Sequence, residues 1–509
     1  MKKITIVGSG TAGLITALYV KKMFPAYDIK IISSSSIGII GVGEGSTEHW
    51  REFQTVVGID NTDMIKETDA THKYGIRFIN WTNHTPDYFH SIAPGGRVNK
   101  GNFLGSYTYA LKNNLLLTDT FASTGLRSNL IELSDDVHMN TNQYHFDTFK
   151  LNEYLKNLCI QRDIALTDSQ VVNLTRDSQT GFIDSLVLSD NSIDKSDFFF
   201  DATGFSRVLM KFLDKPDFVS YSEYLPTNSA IVFPKQHDKS GQIKPYTKAT
   251  AMSSGWMFEI PTLNRIGNGY IFDSSHIDEE GAAEEASSIH GFKIENYRSI
   301  KYDAGYLRNS WQYNCVAVGL SGSFVEPLEA TSIATTIQQI KLICSYLPTF
   351  TKNSKKTVNE YHRIMDSVME NILTMISLHY ISDRRDTPMW LEQSNRPKPE
   401  LLNHLLEIWS ERPPEYHDIP TTGFELFSCN HFWHVAQGQG VLSKESALKQ
   451  LEAYDPLHEV DIFMKALKAE RVSSILLDHA EELRNLKRPP KPDSDGWWTW
   501  SDEDQKWMY

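Results

Sequence analysis

A chain of 509 residues, 40% of them hydrophobic and 22% charged, is long enough for roughly two to four domains' worth of core. Its formal net charge of −14 excludes general binding to nucleic acid or to an anionic membrane, because phosphate binding needs a basic surface. Cys159, Cys315, Cys344 and Cys429 are scattered without a CxxC pair, which excludes a disulfide frame or zinc cluster and fits free thiols in a reducing, cytoplasmic setting.

The chain opens with KITIV, a β-branched run that reads as a strand, followed by GSGTAG and then LITALYVKKM with helical periodicity. DIKIIS supplies a second strand, giving a βαβ opening. Gly8, Gly10 and Gly13, with Thr11 and Ala12 between them, form GxGxxG. The glycines allow a tight turn and close backbone approach, and the helix N-terminus then faces a pyrophosphate. A basic head and an apolar run imitate a secretion signal, but the glycine spacing and the lack of a small-x-small cleavage site argue against export. The acid expected for the ribose hydroxyls is missing. The second strand ends at Ser33 within SSSS, so either a serine hydroxyl substitutes or the ribose is held elsewhere.

GVGEGST at 41–47 follows. Its Gly41, Val42, Gly43 and Glu44 read either as a surface turn or as a loop lying against a flat cofactor. In THKYGIRFINW the spacing of Tyr74, Ile76, Phe78, Ile79 and Trp81 predicts a largely buried strand. Lys73 at its start is either a snorkelling edge residue or a costly inward lysine kept for chemistry. DATGFSR follows the apolar run FFF, and Asp201 and Gly204 end a strand at a position suited to closing over a pyrophosphate. SSGWMFEIP sets Trp256 and Phe258 two apart, a wall of aromatics in a strand closed by Pro261. In GSFVEPLEATSI, Pro327 breaks the run and a helix is expected to begin near Thr331. Its first free amides, around Thr331 and Ser332, would form an anion site. Glu329 just ahead of them reads, taken alone, as an acid favoured by the helix dipole.

Beyond residue 331 the apolar spacing becomes helical, through Ile333, Ile337, Ile340 and Cys344, and it continues to LDHAEELRNL, interrupted by a loop around ERPPEYHDIPTTG. Two regions are expected, 1–345 and 346–509, the second mainly helical and covering the substrate. Trp497, Trp498 and Trp500 are expected to pack the tail onto the body. No segment has the ~18 uninterrupted apolar residues of a membrane span. GLSGS lacks the last glycine of a nucleophile elbow, and no HExxH or spaced Cys/His cluster points to a metal.

Taken in order, GSGTAG, GVGEGST, THKYGIRFINW, QYHFDTF, DATGFSR, GWMFEIP, RIGNGYIF, NCVAVGLSGSFVEPLEATSI and HYISDRRDTPMW resemble the flavin-dependent halogenases related to the tryptophan halogenases. The resemblance runs over residues 4–390. It implies an α/β, two-domain FAD-binding fold of the flavin monooxygenase type, with a mixed β-sheet beside the dinucleotide core and a helical C-terminal region. It further implies that reduced FAD, oxygen and a halide (chloride, bromide or iodide) yield hypohalous acid. By the same likeness Lys73 captures that acid and Glu329 lies near the substrate carbon as an orienting group or base, while Thr331 and Ser332 hold the halide. The family's GWxWxIP segment stands between flavin and substrate; here Trp256, Phe258 and Pro261 occupy it, with Phe258 in place of the second tryptophan. A separate flavin reductase, a small aromatic substrate (indole or phenol) and a homodimer complete the expectation. The rival readings are a flavin-dependent aromatic hydroxylase and a non-catalytic FAD-binding protein.

Overall fold

The structure, a computed structural model, describes residues 2–39, 41, 43–91, 130–132, 143–453, 476–487, 499–501 and 506–508. Val42, Trp497 and Trp498 lie outside the described residues.

The βαβ opening is formed by β1 (Lys3–Val7), α1 (Thr11–Met23) and β2 (Asp28–Ser33). β1 is central in a six-stranded sheet whose order is Trp311–Gln312, Cys315–Ala317, Phe198–Asp201, β1, β2, Ala165–Asp168. Every ladder is parallel except the Trp311 edge hairpin. Both faces of such a sheet are covered, which is why FFFD and CVA are buried at every position.

A second, seven-stranded sheet has the order Arg298–Lys301, Ser229–Lys235, Ile266–Phe272, Gly255–Pro261, Thr247–Ala251, Gly75–Ile79, Asp87–Ser91. Only the pairing of Thr247–Ala251 with Gly75–Ile79 is parallel. Strand Gly255–Pro261 is buried throughout, and its alternation divides two cores. Trp256 and Phe258 join the main hydrophobic cluster, whereas Met257 packs with Tyr270 and Phe272 behind the sheet.

A small third sheet, Glu44–Gly45 against Tyr144–Phe146 against Thr71–His72, ties the second glycine loop to the lysine segment. The single strand expected from Lys73 to Trp81 is not continuous. Thr71–His72 belongs to the small sheet and Gly75–Ile79 to the large one, with Lys73 and Tyr74 between them. The backbone changes partners there: Lys73 N–H donates to Gln143 O at 2.9 Å and Tyr74 N–H to Pro245 O at 2.7 Å.

Helices dominate after residue 330: Thr331–Tyr346 packs on α1, Lys355–His379 on Thr331–Tyr346, Glu400–Glu411 on Lys355–His379, and Cys429–Gly438 on strand Asp87–Ser91. Ile333, Ile337, Ile340 and Cys344 are all buried, as their spacing predicts. One hydrophobic cluster crosses residue 345, joining Ile4 and Leu18 to Leu405, Trp409 and Phe432. No helix among the described residues is long and apolar enough to cross a membrane.

Candidate active site

A cavity of about 630 Å³ opens where β1 and β2 end, and the glycine loops form its walls. Gly8 has φ +110°, and a Cβ there would lie 2.3 Å from Ala202 O, so only glycine fits. A Cβ on Gly13 would lie 2.1 Å from Gly8 O; this glycine serves the packing of α1 against the loop and does not line the cavity. Gly10, Thr11 and Ala12 do line it. α1 has no side-chain cap and no acid in its first turn, so its leading N–H groups suit a pyrophosphate.

Ser33 lines the cavity where an acid is usual. Asp168, its register partner on the neighbouring strand, instead accepts from Ser35 N–H at 2.9 Å and Ser35 Oγ at 2.7 Å, pinning the serine loop. Gly41, Gly43 and Glu44 lie on the opposite wall. A Cβ on Gly41 would collide with Thr148 at 2.2 Å, and burial pushes the Glu44 carboxyl up to about 7. Gly204 (φ +64°) lines the cavity, but Asp201 does not. The Asp201 carboxylate, fully buried, accepts from the N–H groups of Thr203, Leu209 and Met210 and from Ser321 Oγ. It shapes the DATG turn from within. The volume, the glycine cradle and the uncapped helix fit FAD.

Lys73 also lines this cavity. It is fully buried, which rules out snorkelling. Its Nζ donates to Ser46 O at 2.9 Å and would touch a Cβ on Gly45 at 3.5 Å. Burial pushes the ammonium down to about 8, against the pull of Glu329 and Glu48 upward.

Pro327–Glu329 forms a single 3-10 turn, and helix Thr331–Tyr346 starts directly after Ala330. Ala330 takes the left-handed conformation, φ +56° and ψ +39°, so the chain reverses course there. Ala330 and Ser332 face the cavity, whereas Thr331 is buried beside it. The helix has neither a side-chain cap nor an acid in its first turn. Its leading amides are therefore suited to an anion.

Glu329 turns the other way, and the dipole reading of this acid does not describe it. His90 Nδ1 lies 2.9 Å from both carboxylate oxygens, and His379 Nε2 lies 2.8 Å from Oε1. Burial alone would raise this carboxyl; the facing His90 and His379 rings override burial and hold it well below the usual carboxylate range. His379 in turn meets Tyr88 Oη at 3.2 Å through Nδ1 and stacks on Phe78 with centroids 4.5 Å apart.

Between the two regions stands the aromatic strand. Phe258 lines the cavity and Trp256 sits behind it, ring centroids 6.1 Å apart. Pro261 lies off the cavity, its carbonyl accepting from Thr71 Oγ1 at 2.6 Å, which fixes the lysine segment to the wall strand. Sequence reasoning missed His90, His379 and Glu326, the residue that receives the Trp256 indole N–H at 2.9 Å. The only available signal was that two glutamates three apart flank a proline.

The sequence model of the family described as tryptophan halogenase matches residues 3–454. The 7-chloro-L-tryptophan 6-halogenase KtzR of Kutzneria sp. is 30% identical over 457 residues, covering 82% of this chain and 88% of its own. The crystal structure of the tryptophan 6-halogenase SttH of Streptomyces toxytricini superposes with a TM-score of 0.87 at 26% identity, over 96% of this chain and 100% of that one. BrvH, a flavin-dependent halogenase from Brevundimonas sp. BAL3, gives a TM-score of 0.84 at 25% identity, over 96% and 99%. The family match runs through the glycine cradle, Lys73 and the Glu329 turn alike, and the chain belongs to the tryptophan halogenases, flavin-dependent enzymes that use FADH2 and a halide.

Proposed function

We propose that the chain halogenates an electron-rich aromatic ring, an indole or a phenol, by way of hypohalous acid relayed by Lys73. The observation that carries this reading is the placement of Lys73. It is fully buried in the cavity that the glycine loops form, while Glu329, the expected partner at the ring, faces away from that cavity. Tryptophan, named for SttH, is the first candidate, and its chlorinated form, 7-chloro-L-tryptophan, named for KtzR, is the second.

Bound as FADH2, the cofactor supplies with oxygen the oxidising equivalents that convert halide to hypohalous acid. The chain does the rest. The leading amides at Thr331 and Ser332 hold the halide as an anion. Trp256 and Phe258 screen the ring from direct attack. Lys73, with its ammonium pushed down to about 8, donates a hydrogen bond to hypohalous acid in its charged form, and its neutral fraction takes up the halogen. The N–halogen bond forms as the O–halogen bond breaks, and the hydroxyl leaves with the amine proton as water. Glu329 stays anionic at any working pH because two imidazoles face it. It therefore acts first as a counter-charge to the cationic ring intermediate. A ring carbon in that state is acidic enough to release its proton even to so weak a base, with His379 and His90 at hand.

The test is product mass spectrometry over a panel of indoles and phenols with each halide, FAD, NADH and an added flavin reductase. A product shifted by one halogen, dependent on the halide and on the reductase, is expected. Hydroxylated product without halide dependence would instead mark an aromatic hydroxylase, and no turnover at all a mere FAD-binding protein.

A further inference from the structure

The motif FVEPLEATSI carries two glutamates, and the first has no role in the reading above. Glu326 is completely buried. Its Oε2 accepts from Trp256 Nε1 at 2.9 Å, from Tyr380 Oη at 2.8 Å and from Thr227 Oγ1 at 2.8 Å. Thr227 Oγ1 also lies 2.8 Å from Tyr302 Oη, and Tyr302 lines the flavin cavity. A buried carboxylate met by neutral donors is costly to keep, and a well-packed apolar residue would serve a purely structural purpose better.

Two consecutive residues at the end of helix Lys355–His379 grip the two glutamates: His379 holds Glu329 and Tyr380 holds Glu326. Trp256 itself packs on Trp81, with centroids 6.3 Å apart, and Trp81 meets Tyr380 at 5.6 Å. The indole is thus pressed between rings that could accommodate several tilts, and among the described residues the one directional contact on it is the bond to Glu326.

We propose that Glu326 is a positioning residue that locks the Trp256 indole, and with it the wall strand, against the turn that carries Glu329 and the halide helix. This rests on the halogenase reading for its effect on turnover, though not for its geometry. The lock keeps Phe258 in the wall of the cavity that Lys73 also lines. Without it the wall loosens, and oxidising equivalents leak to water as hydrogen peroxide or hypohalous acid instead of reaching the ring.

The experiment uses full-length, FAD-loaded protein labelled with fluorotryptophan, its Trp256 resonance assigned by its absence in Trp256→Phe. In Glu326→Gln that resonance should move, while FAD affinity and circular dichroism stay as in wild type. Gln keeps a carbonyl acceptor but loses its charge, so halogenated product per NADH consumed should fall several-fold, up to about tenfold, the scale by which a hydrogen bond to a charged group exceeds one to a neutral group. In a Trp256→Phe background, which has no indole N–H, Glu326→Gln should change that ratio less than twofold. An unmoved resonance, or losses that multiply across the two substitutions, overturns the proposal. If Glu326→Gln does not fold, Tyr380→Phe removes one donor from the same oxygen and must move the resonance and lower the ratio; no change in either overturns it equally. If wild type makes no halogenated product, the functional reading fails, and the resonance alone still decides the lock.

Discussion

Replacing Lys73 with Met should stabilise the folded protein while abolishing halogenation. Burial pushes the ammonium from its ordinary 10.5 down to about 8, and each pKa unit is about 1.4 kcal/mol of preference between protonation states. Below pH 8 the folded state therefore carries a cost of about 3 kcal/mol that the unfolded chain does not. Met is of similar length and carries no charge, so it removes that cost. Against this stands the hydrogen bond to the Ser46 carbonyl, about 1 kcal/mol. Counting that bond alone, the net gain at pH 7 is about 2 kcal/mol. An unfolded lysine keeps its proton up to 10.5, whereas the folded one releases it from about 8. The unfolded state thus binds more protons in that window, and wild-type stability rises with pH across it. The advantage of Met should accordingly shrink between pH 8 and 10.5. Urea unfolding of both proteins at pH 7 and pH 10, beside product formation at pH 7, measures this. A Met variant less stable than wild type at pH 7, or an advantage that does not shrink, refutes the burial argument. Normal product from folded Met variant refutes the lysine relay.

Three other expectations follow from the same geometry. Glu329→Gln places an amide N–H2 between His90 and His379 and should slow halogenation on the order of 10²- to 10⁴-fold with FAD binding intact; unaltered single-turnover rates would show the carboxylate to be structural. Gly8→Ala forces a Cβ to within 2.3 Å of Ala202 O at φ +110° and should eliminate FAD binding in a fluorescence titration, a result that normal affinity would contradict. Burial holds His72 down to about 4 and His479 down to about 3, so the unfolded chain takes up protons that the folded state resists once pH falls below 6.5. Stability should be lost progressively from there toward pH 4, at a scale of about 3 kcal/mol per ring, and a flat unfolding midpoint between pH 6.5 and 4.5 would argue against it.

What the sequence revealed was local. GxGxxG, the second glycine loop and the helix starting at Thr331 are short motifs whose geometry is set within a few residues, and each sits where the spacing implies. The alternation around Lys73 predicts a continuous strand because it persists while the backbone changes partners, an event set by Gln143 and Pro245 far along the chain. The strand end at Asp201 predicts a cofactor contact because strand ends usually face ligands, yet the carboxylate turns inward to the amides of its own turn. The environment of Glu329 could not be read at all. Its histidines lie 239 and 50 residues away, and no local pattern encodes a contact made by tertiary packing.

At Ala330 the chain reverses hand for one residue; Ser332 beyond it lines the cavity, whereas Glu329 before it faces His90 and His379. On the function proposed above, making the halogenating agent and choosing the ring are separate modules joined at a single amino acid. If that proposal holds, an engineer can vary the surroundings of His90 and His379 to admit new rings while the amides on the other side of the pivot keep their aim. A β-branched residue at 330 would do the opposite, since it cannot take this backbone shape cheaply and would misalign both modules at once. Diversification of ring choice is thus structurally cheap, and diversification of the halogen step is not.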